Sequence, residues 1–296
     1  MSVKSIFGTR RRGGDKPAAM SSEHHQVIRT HLQHDKRFSY YLQWPDSPDA
    51  RRVLVLIHGI SRNASALMNA FAPFALEAGY TVIAPVFARG ICGDFQRLGR
   101  RGKGPRADWI LDAILDEMGA QVGLHLPKFD VFGFSAGAQF AHRYAMAHPQ
   151  RIRTMTLGSA GWYTLPNQDR YPYGLRLRRE LPGVAFAPPR FLRVPVRVYV
   201  GSADTERDAA LNRSRRVEKK QGPHRVARAQ TWVDTMNRCA AELGLSQPAT
   251  LELMPAVGHS FSEAVEKYQL PQKIMQWMTN HDQPGMEVSS ARSEES

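Results

Sequence analysis

The sequence has little cysteine and no long hydrophobic run. Only Cys92 and Cys239 occur among the 296 residues, too few for a framework of disulfide bonds. This scarcity favours a reducing compartment, the cytoplasm. Because no apolar stretch approaches the roughly 18 residues that span a bilayer, no transmembrane segment is predicted. No spacing of histidines and acidic residues matches a metal-ligand pattern, so neither a metal nor a cofactor is predicted.

Acidic residues are also scarce relative to basic ones. The 27 Asp and Glu residues face 40 Lys and Arg residues, which gives a formal net charge of +13. Such an excess alone would suggest nucleic acid or an anionic surface as a partner. No zinc-finger, RNA-recognition or helix-turn-helix signature is present, so nucleic acid is not expected. Hydrophobic residues make up 42% of the chain, enough to build a core, which excludes a disordered protein.

Both ends of the sequence lack hydrophobic periodicity. Residues 1–24 contain an arginine triplet at 10–12 with no apolar stretch behind it, which excludes a secretory or twin-arginine signal. We therefore expect a basic, disordered tail there, with Met20 as an alternative start. Residues 282–296 are polar and are expected to form a second disordered tail. The remaining residues, 25–281, are predicted to form one domain.

Short apolar strands alternate with amphipathic helices between these tails. Strands joined by helices pair in parallel through right-handed crossovers. The pattern therefore predicts an α/β fold with one mostly parallel sheet of about eight strands and helices on both faces. A hairpin is predicted over 26–32 and 37–43, strands at 53–57, 81–85, 129–133, 154–157, 194–200 and 250–254, and helices at 64–78, 106–119, 136–147, 229–243 and 261–279.

A serine lies where one predicted strand ends and a helix begins, in Gly133-Phe134-Ser135-Ala136-Gly137. Ligands of such sheets bind at the carboxyl ends of the strands. A sharp strand-to-helix turn needs small residues two before and two after its central residue. Ser135 is therefore a candidate nucleophile, at a helix N-terminus that stabilises an anion. The alternative is an ordinary N-cap serine.

A serine hydroxyl needs a base to remove its proton, and the base needs a group that orients it. His259 follows the last predicted strand, and Asp204 follows the strand before it. The chain order of serine, acid and histidine is the one expected in this architecture. We therefore predict His259 as the base and Asp204 as the acid, with Glu206 and Asp208 as alternatives for the acid.

Acyl transfer also needs two N–H donors where negative charge develops on the carbonyl oxygen. The amide of Ala136, directly after the serine, is predicted to be one donor. The other is expected in the loop after the strand at 53–57, which reads His58-Gly59-Ile60. The amide of Ile60 is the candidate.

These motifs resemble those of the α/β-hydrolase superfamily of serine hydrolases, over roughly residues 25–280. The family order is present in His58-Gly59, in the serine motif, in Gly201-Ser202-Ala203-Asp204 and in Gly258-His259. The resemblance implies the α/β-hydrolase fold, a carboxylesterase or lipase-like activity and an oxyanion hole. It implies that the nucleophile is Ser135, the acid Asp204, the base His259, and the oxyanion donors Ile60 and Ala136.

The resemblance also implies a short cap insertion at about 159–193. Aromatic residues of this cap are candidates for the wall of an apolar substrate site, and the alternative is that they pack the segment itself. The predicted substrate contacts are His58, Phe134, Trp162 and Tyr163.

The excess of positive charge is concentrated in two segments. Residues 151–228 hold 17 basic and 6 acidic side chains, and residues 87–106 hold 6 basic and 1 acidic. We predict a hydrolase of a carboxylic ester, thioester or lactone, small or polymeric, with an anionic substrate drawn to this basic rim as one hypothesis. Alternatives are acyl transfer, C–C bond hydrolysis or peptide hydrolysis by the same triad, and a non-catalytic binding module that uses the basic surface.

Overall fold

The computed structural model describes residues 26–99, 104–177, 180–246 and 249–281. The two predicted tails lie outside the described residues, and so does Met20.

Eight strands form a single sheet. They are β1 (Ile28–His31), β2 (Ser39–Gln43), β3 (Val53–Ile57), β4 (Thr81–Val86), β5 (Phe129–Phe134), β6 (Ile152–Gly158), β7 (Val196–Gly201) and β8 (Thr250–Met254). Their order is β1-β2-β4-β3-β5-β6-β7-β8. β2 is antiparallel to both of its neighbours, whereas β3 to β8 run parallel to one another. The predicted α/β fold with a mostly parallel sheet is confirmed.

Helices cover both faces of this sheet. They are α1 (Ala64–Glu77), α2 (Ala107–Val122), α3 (Ala136–Ala147), α4 (Pro188–Phe191), α5 (Arg215–Gln221), α6 (Arg225–Glu242), α7 (Phe261–Tyr268) and α8 (Leu270–Asn280). No helix in the described ranges is both long and apolar enough to cross a bilayer.

The continuous apolar run of β3 is explained by burial on both of its faces. Leu54 and Leu56 point to one side, where they pack with residues of α1 and α8. Val53, Val55 and Ile57 point to the other side, where they join a larger core with residues of α2, α3 and α6. Because successive side chains of a strand alternate between faces, a strand covered by helices on both sides must be apolar throughout.

The helices differ from the prediction mainly after β7. No helix was predicted between the strand at 194–200 and the helix at 229–243, but this segment contains α5 and the start of α6 at Arg225. Arg225 and Arg228 are buried in this first turn of α6, so an apolar pattern could not mark where the helix begins. The helical region predicted at 261–279 is two helices that meet at Gln269, whose φ of 55° breaks the helix.

The aromatic residues between β6 and β7 pack the segment 159–193 onto its neighbours. Tyr163 stacks on Trp232 of α6 with a ring separation of 4.9 Å. Trp162 lies against Tyr173 at 5.3 Å and under the guanidinium of Arg143 at 4.3 Å. These contacts favour the alternative in which the aromatic residues stabilise the segment itself.

His58, directly after β3, is buried and forms hydrogen bonds with the backbone of two loops. Its Nε2 accepts a hydrogen bond from the amide of Phe87 at 2.9 Å, which places the ring proton on Nδ1, 2.9 Å from the carbonyl oxygen of Gly59. The rings of Phe87 and Phe95 pack around it at 5.8 and 5.0 Å. Burial in this apolar surrounding lowers the pKa of His58 to about 4.

We expect acid to destabilise the fold through His58. A histidine of the unfolded chain binds a proton near pH 6.5, whereas folded His58 stays neutral down to about pH 4. The stability that it contributes is therefore present above pH 6.5 and lost as the pH falls. Urea unfolding should show that the free energy of unfolding falls by about 2 kcal/mol between pH 7 and pH 5 because of this residue.

The matched variant for this prediction is His58→Gln. Its side-chain oxygen can still accept from Phe87 and cannot take up a proton, so this part of the pH dependence should disappear. Burial also lowers the pKa of His142, which accounts for acid sensitivity that remains in the variant. A variant with the full pH dependence of the wild type would contradict the assignment to His58.

Candidate active site

Three side chains from the carboxyl ends of three strands meet at one point. Ser135 follows β5, Asp204 follows β7 and His259 follows β8. The Nε2 atom of His259 lies 3.1 Å from the Oγ of Ser135, and its Nδ1 lies 2.8 Å from Oδ2 of Asp204. Asp204, rather than Glu206 or Asp208, is thus the acidic residue that reaches His259.

The backbone at Ser135 is strained in the way that the glycine spacing predicts. Its φ is 55° and its ψ is −113°, a left-handed conformation that non-glycine residues rarely adopt. A Cβ on Gly133 would overlap the backbone of Gly137, and a Cβ on Gly137 would overlap the carbonyl of Ile57. Only glycine at both positions lets α3 approach β5 and β3 this closely, and this approach holds Ser135 at the apex of the turn.

The two residues predicted to supply oxyanion donors lie near the serine: Ala136 follows it directly, and Ile60 lines the same cavity. Ala136 is the first residue of α3, where an amide has no acceptor within the helix. Ile60 lies in a turn closed by a 3.1 Å hydrogen bond from the amide of Arg62 to the carbonyl of Gly59, and this bond does not use the amide of Ile60. A Cβ placed on Gly59 would lie 3.6 Å from the Cβ of Ser135, so this loop packs against the serine turn.

Aromatic rings hold the imidazole of His259 in place. The ring of Phe134 stacks on it at 5.6 Å with an interplanar angle of 26°, and Phe261 packs edge-on against Phe134 at 5.5 Å. The loop that carries His259 is anchored by the amide of Gly258, which donates to Glu263 at 2.9 Å. The imidazole is therefore fixed both by ring contacts and by its hydrogen bonds.

The acid has a second partner that sequence reasoning missed. The side chain of Asp204 has no exposed surface, and its Oδ1 accepts a hydrogen bond from Nη1 of Arg225 at 3.2 Å. Arg225 is itself 1% exposed and also binds Asp208 at 2.8 Å. In the sequence, Arg225 is one of many basic residues in 201–228, and its contact with Asp204 in the folded chain is what distinguishes it from them.

Two cavities flank His259. One, of about 350 Å³, adjoins Ser135 and is lined mainly by apolar side chains with a few neutral polar ones. The other, of about 460 Å³, has acidic residues in its wall. Among the described residues that line either cavity, none is a lysine or an arginine. The wall of the first includes Ile60, Leu67, Phe134, Phe261, Ser61, Asn63 and Ser262, and that of the second Asp204, Glu206, Asp208 and Glu263.

The structure corrects three of the four predicted substrate contacts. Phe134 lines the cavity beside Ser135 as expected. His58 and Tyr163 have no exposed surface, and Trp162 is 4% exposed. His58 binds the backbone of two loops, and the other two side chains pack 159–193 onto its neighbours. These three residues therefore belong to the core and not to the wall of the site.

The predicted basic rim is also weaker than the composition suggests. Many arginines of the two basic segments bind acidic partners: Arg170 binds Glu180 at 2.9 Å, and Arg216 binds Asp169 at 3.3 Å. Others, such as Arg228, are buried. Five of the basic residues on which the rim hypothesis depended lie outside the described residues: Arg100, Arg101, Lys103, Arg178 and Arg179.

Known proteins share this architecture. A family model described as the alpha/beta hydrolase fold matches residues 52–197. The structure of poly(aspartic acid) hydrolase-1 from Sphingomonas sp. KT-1 is similar, with 26% sequence identity and a TM-score of 0.68 over 81% of this chain and 93% of that one. LpqC, a poly(3-hydroxybutyrate) depolymerase from Bordetella parapertussis, is 25% identical with a TM-score of 0.67 over 88% and 92%.

More distant structures support the fold alone. A predicted CIB-like hydrolase from Thermoplasma acidophilum has a TM-score of 0.52 at 13% identity, over 86% of this chain and 98% of that one. No curated protein sequence matches the chain significantly. The family match and the sheet with its strand-end residues lead to the same conclusion: the chain has the α/β-hydrolase fold and is similar to hydrolases of that family.

Proposed function

We propose that the chain is a serine hydrolase that cleaves a carboxylic ester, thioester or lactone through an acyl-enzyme intermediate. The observation that carries this proposal is the imidazole of His259, which bridges Ser135 and the buried Asp204. A hydroxyl paired with an oriented base, near backbone amides that can serve as oxyanion donors, is the arrangement that acyl transfer requires.

The first half of the proposed reaction forms the acyl-enzyme. Because Nδ1–H of His259 donates to Asp204, Nε2 is left as the acceptor for the proton of Ser135. The Oγ atom attacks the carbonyl carbon as this proton moves to Nε2, and Asp204 stabilises the resulting imidazolium. The amides of Ile60 and Ala136 bind the oxyanion. The carbon–oxygen bond to the alcohol then breaks, and the proton on Nε2 passes to the leaving alkoxide.

The second half hydrolyses this intermediate. Water takes the place of the alcohol, gives one proton to Nε2 of His259 and adds its oxygen to the acyl carbon. The same two amides stabilise the second oxyanion. When it collapses, the bond to Ser135 breaks, the proton returns from Nε2 to Oγ, and the carboxylic acid leaves.

The cavity beside Ser135 favours an uncharged acyl group. Its apolar wall would desolvate a carboxylate without offering a counter-charge from the described residues, which is costly. Of the two relatives with named polymeric substrates, the poly(3-hydroxybutyrate) depolymerase acts on a polyester with uncharged repeat units. We infer that the substrate is an ester, small or polymeric, with an uncharged acyl portion.

Hydrolysis of an amide bond is the second candidate. It is favoured by the similarity to the poly(aspartic acid) hydrolase, whose named substrate is an anionic polyamide. The same acyl-enzyme would form from an amide, but the amine leaving group depends more heavily on proton donation from His259. Release of amine from poly(aspartic acid), without turnover of simple esters, would favour this candidate over ester hydrolysis.

Ser135→Ala should abolish both covalent labelling by a fluorophosphonate probe and ester hydrolysis, because the attacking oxygen is removed. We expect a fall in kcat of at least about 1,000-fold, measured with p-nitrophenyl butyrate. Ser65→Ala is the matched control, since its hydroxyl binds Asn63 and lies outside the cavity wall. Labelling that persists in Ser135→Ala would identify another nucleophile.

Asp204→Asn should lower kcat by about 1,000- to 10,000-fold, because the asparagine amide no longer holds His259 in the tautomer that accepts from Ser135. KM should change little, since Asp204 is buried behind the imidazole. Glu206→Gln is the control at the neighbouring acid. Steady-state kinetics measure the effect, and circular dichroism verifies that the variants fold. An equal loss of activity in the Glu206 variant would contradict the assignment of Asp204.

The charge of the acyl group gives a further prediction. A p-nitrophenyl butyrate and a p-nitrophenyl hemisuccinate differ in a terminal carboxylate on a four-carbon acyl chain. We expect kcat/KM to be at least about tenfold higher for the butyrate because of the desolvation cost of the carboxylate. A preference for the hemisuccinate that weakens with added salt would instead support the basic-rim hypothesis.

A further inference from the structure

A line of alternating charges continues behind the proposed triad. Asp208 accepts two hydrogen bonds from Arg225, from Nη1 at 2.8 Å and from Nη2 at 3.2 Å. The same Nη1 donates to Oδ1 of Asp204 at 3.2 Å, while Oδ2 of Asp204 binds His259 at 2.8 Å. The triad thus has an arginine and a second aspartate directly behind its acid.

The inner part of this line of charges is buried. Arg225 and Asp204 are almost completely inaccessible, whereas Asp208 is one-third exposed. Burying a carboxylate without a hydrogen-bonded or charged partner is costly. Here each oxygen of Asp204 has its own partner, Arg225 on Oδ1 and His259 on Oδ2, so the carboxylate is oriented from both sides. Of the two residues that contact Arg225 here, Asp208 is the one that solvent reaches.

We propose that Arg225 is a positioning residue for the triad, which holds the carboxylate of Asp204 in place and offsets part of the charge that Asp204 presents to His259. A cation behind the carboxylate offsets part of the negative potential that would otherwise hold a proton on the imidazole. This inference rests on the proposed function, since it concerns the same three side chains.

Other charged groups surround this line, and one of them provides a control. Arg228 lies three residues after Arg225 on α6, is equally buried, and donates to the carbonyls of Gly161 at 2.6 Å and Gly222 at 2.9 Å. Its hydrogen bonds to described residues go to these two carbonyls and not to Asp204, so Arg228 shares the burial but not the position of Arg225. The further titratable or charged groups around the line are Tyr163 from 159–193, Glu206 and Arg207 from the loop after β7, Glu218 from α5, His224 before α6, and Glu263 from α7.

The test measures how fast a fluorophosphonate probe labels Ser135 at pH values from 5 to 9. In this reaction Oγ forms a bond to phosphorus, fluoride leaves, and the proton of Ser135 passes to His259. The rate constant therefore rises with pH as His259 loses its proton, and the midpoint reports the base in the free enzyme. No knowledge of the natural substrate is needed.

Arg225→Met should move this midpoint upward by about one pH unit, because a nearby cation is removed. Arg225→Lys should restore the midpoint, since it keeps the charge, but should leave the labelling rate at high pH below that of the wild type, since lysine lacks the two-armed geometry. Asp208→Asn should move the midpoint downward, because the charge of Arg225 then acts on Asp204 and His259 alone. Arg228→Met should lower the Tm and leave the midpoint unchanged.

An unmoved midpoint in Arg225→Met, or an equal shift in Arg228→Met, would overturn the proposal. If Arg225→Met does not fold, Asp208→Asn decides alone, and an unmoved or raised midpoint in that variant is then the contradicting result. A wild-type protein that the probe does not label at Ser135 would instead refute the proposed function. Labelling at Ser135 with unshifted midpoints in the variants would refute only the role of Arg225.

Discussion

The close approach of α3 to the ends of β5 and β3 is the constraint on which the rest of the site depends. Gly133 and Gly137 permit it, because a Cβ at either position would collide with backbone. Ser135 is held in a left-handed conformation by the turn between them. The same approach sets the carbonyl of Ile57 against α3, so the loop that begins at His58 must pass beside the serine. Ser135 and the loop at Gly59 and Ile60 are thus positioned by one steric requirement.

Burial decides how the charges of this protein act. The sequence carries a large positive excess, yet several arginines of the basic segments lie inside the fold or bind neighbouring carboxylates. The clearest example is Arg225, whose guanidinium lies between Asp204 and Asp208. In a low-dielectric surrounding this charge acts on the carboxylate and, through it, on His259 far more strongly than a surface arginine would. Arg228 shows that a neighbouring arginine of equal burial can serve another purpose, here the satisfaction of backbone carbonyls.

Most strands and the three strand-end residues could be predicted because their signals are local. A run such as 53–57 is apolar throughout, the serine turn has glycines at fixed spacing, and the chain order of serine, acid and histidine follows from the order of the strands. The start of α6 could not be predicted from an apolar pattern, because two buried residues of its first turn, Arg225 and Arg228, are charged. The substrate contacts were mostly wrong for a related reason: an aromatic side chain such as Tyr163 suits a pocket wall and a core equally well, and only its neighbours distinguish the two.

The sequence by itself determined the sheet, its parallel connections and the three residues that meet at its carboxyl edge, because alternation, spacing and chain order are properties of the chain. The tertiary structure alone decided which acid reaches His259, which arginine stands behind that acid, and that His58, Trp162 and Tyr163 belong to the core. These are contacts between segments far apart in sequence. Their distances and burial depend on how helices and loops pack over the sheet, and no local pattern of residues encodes them.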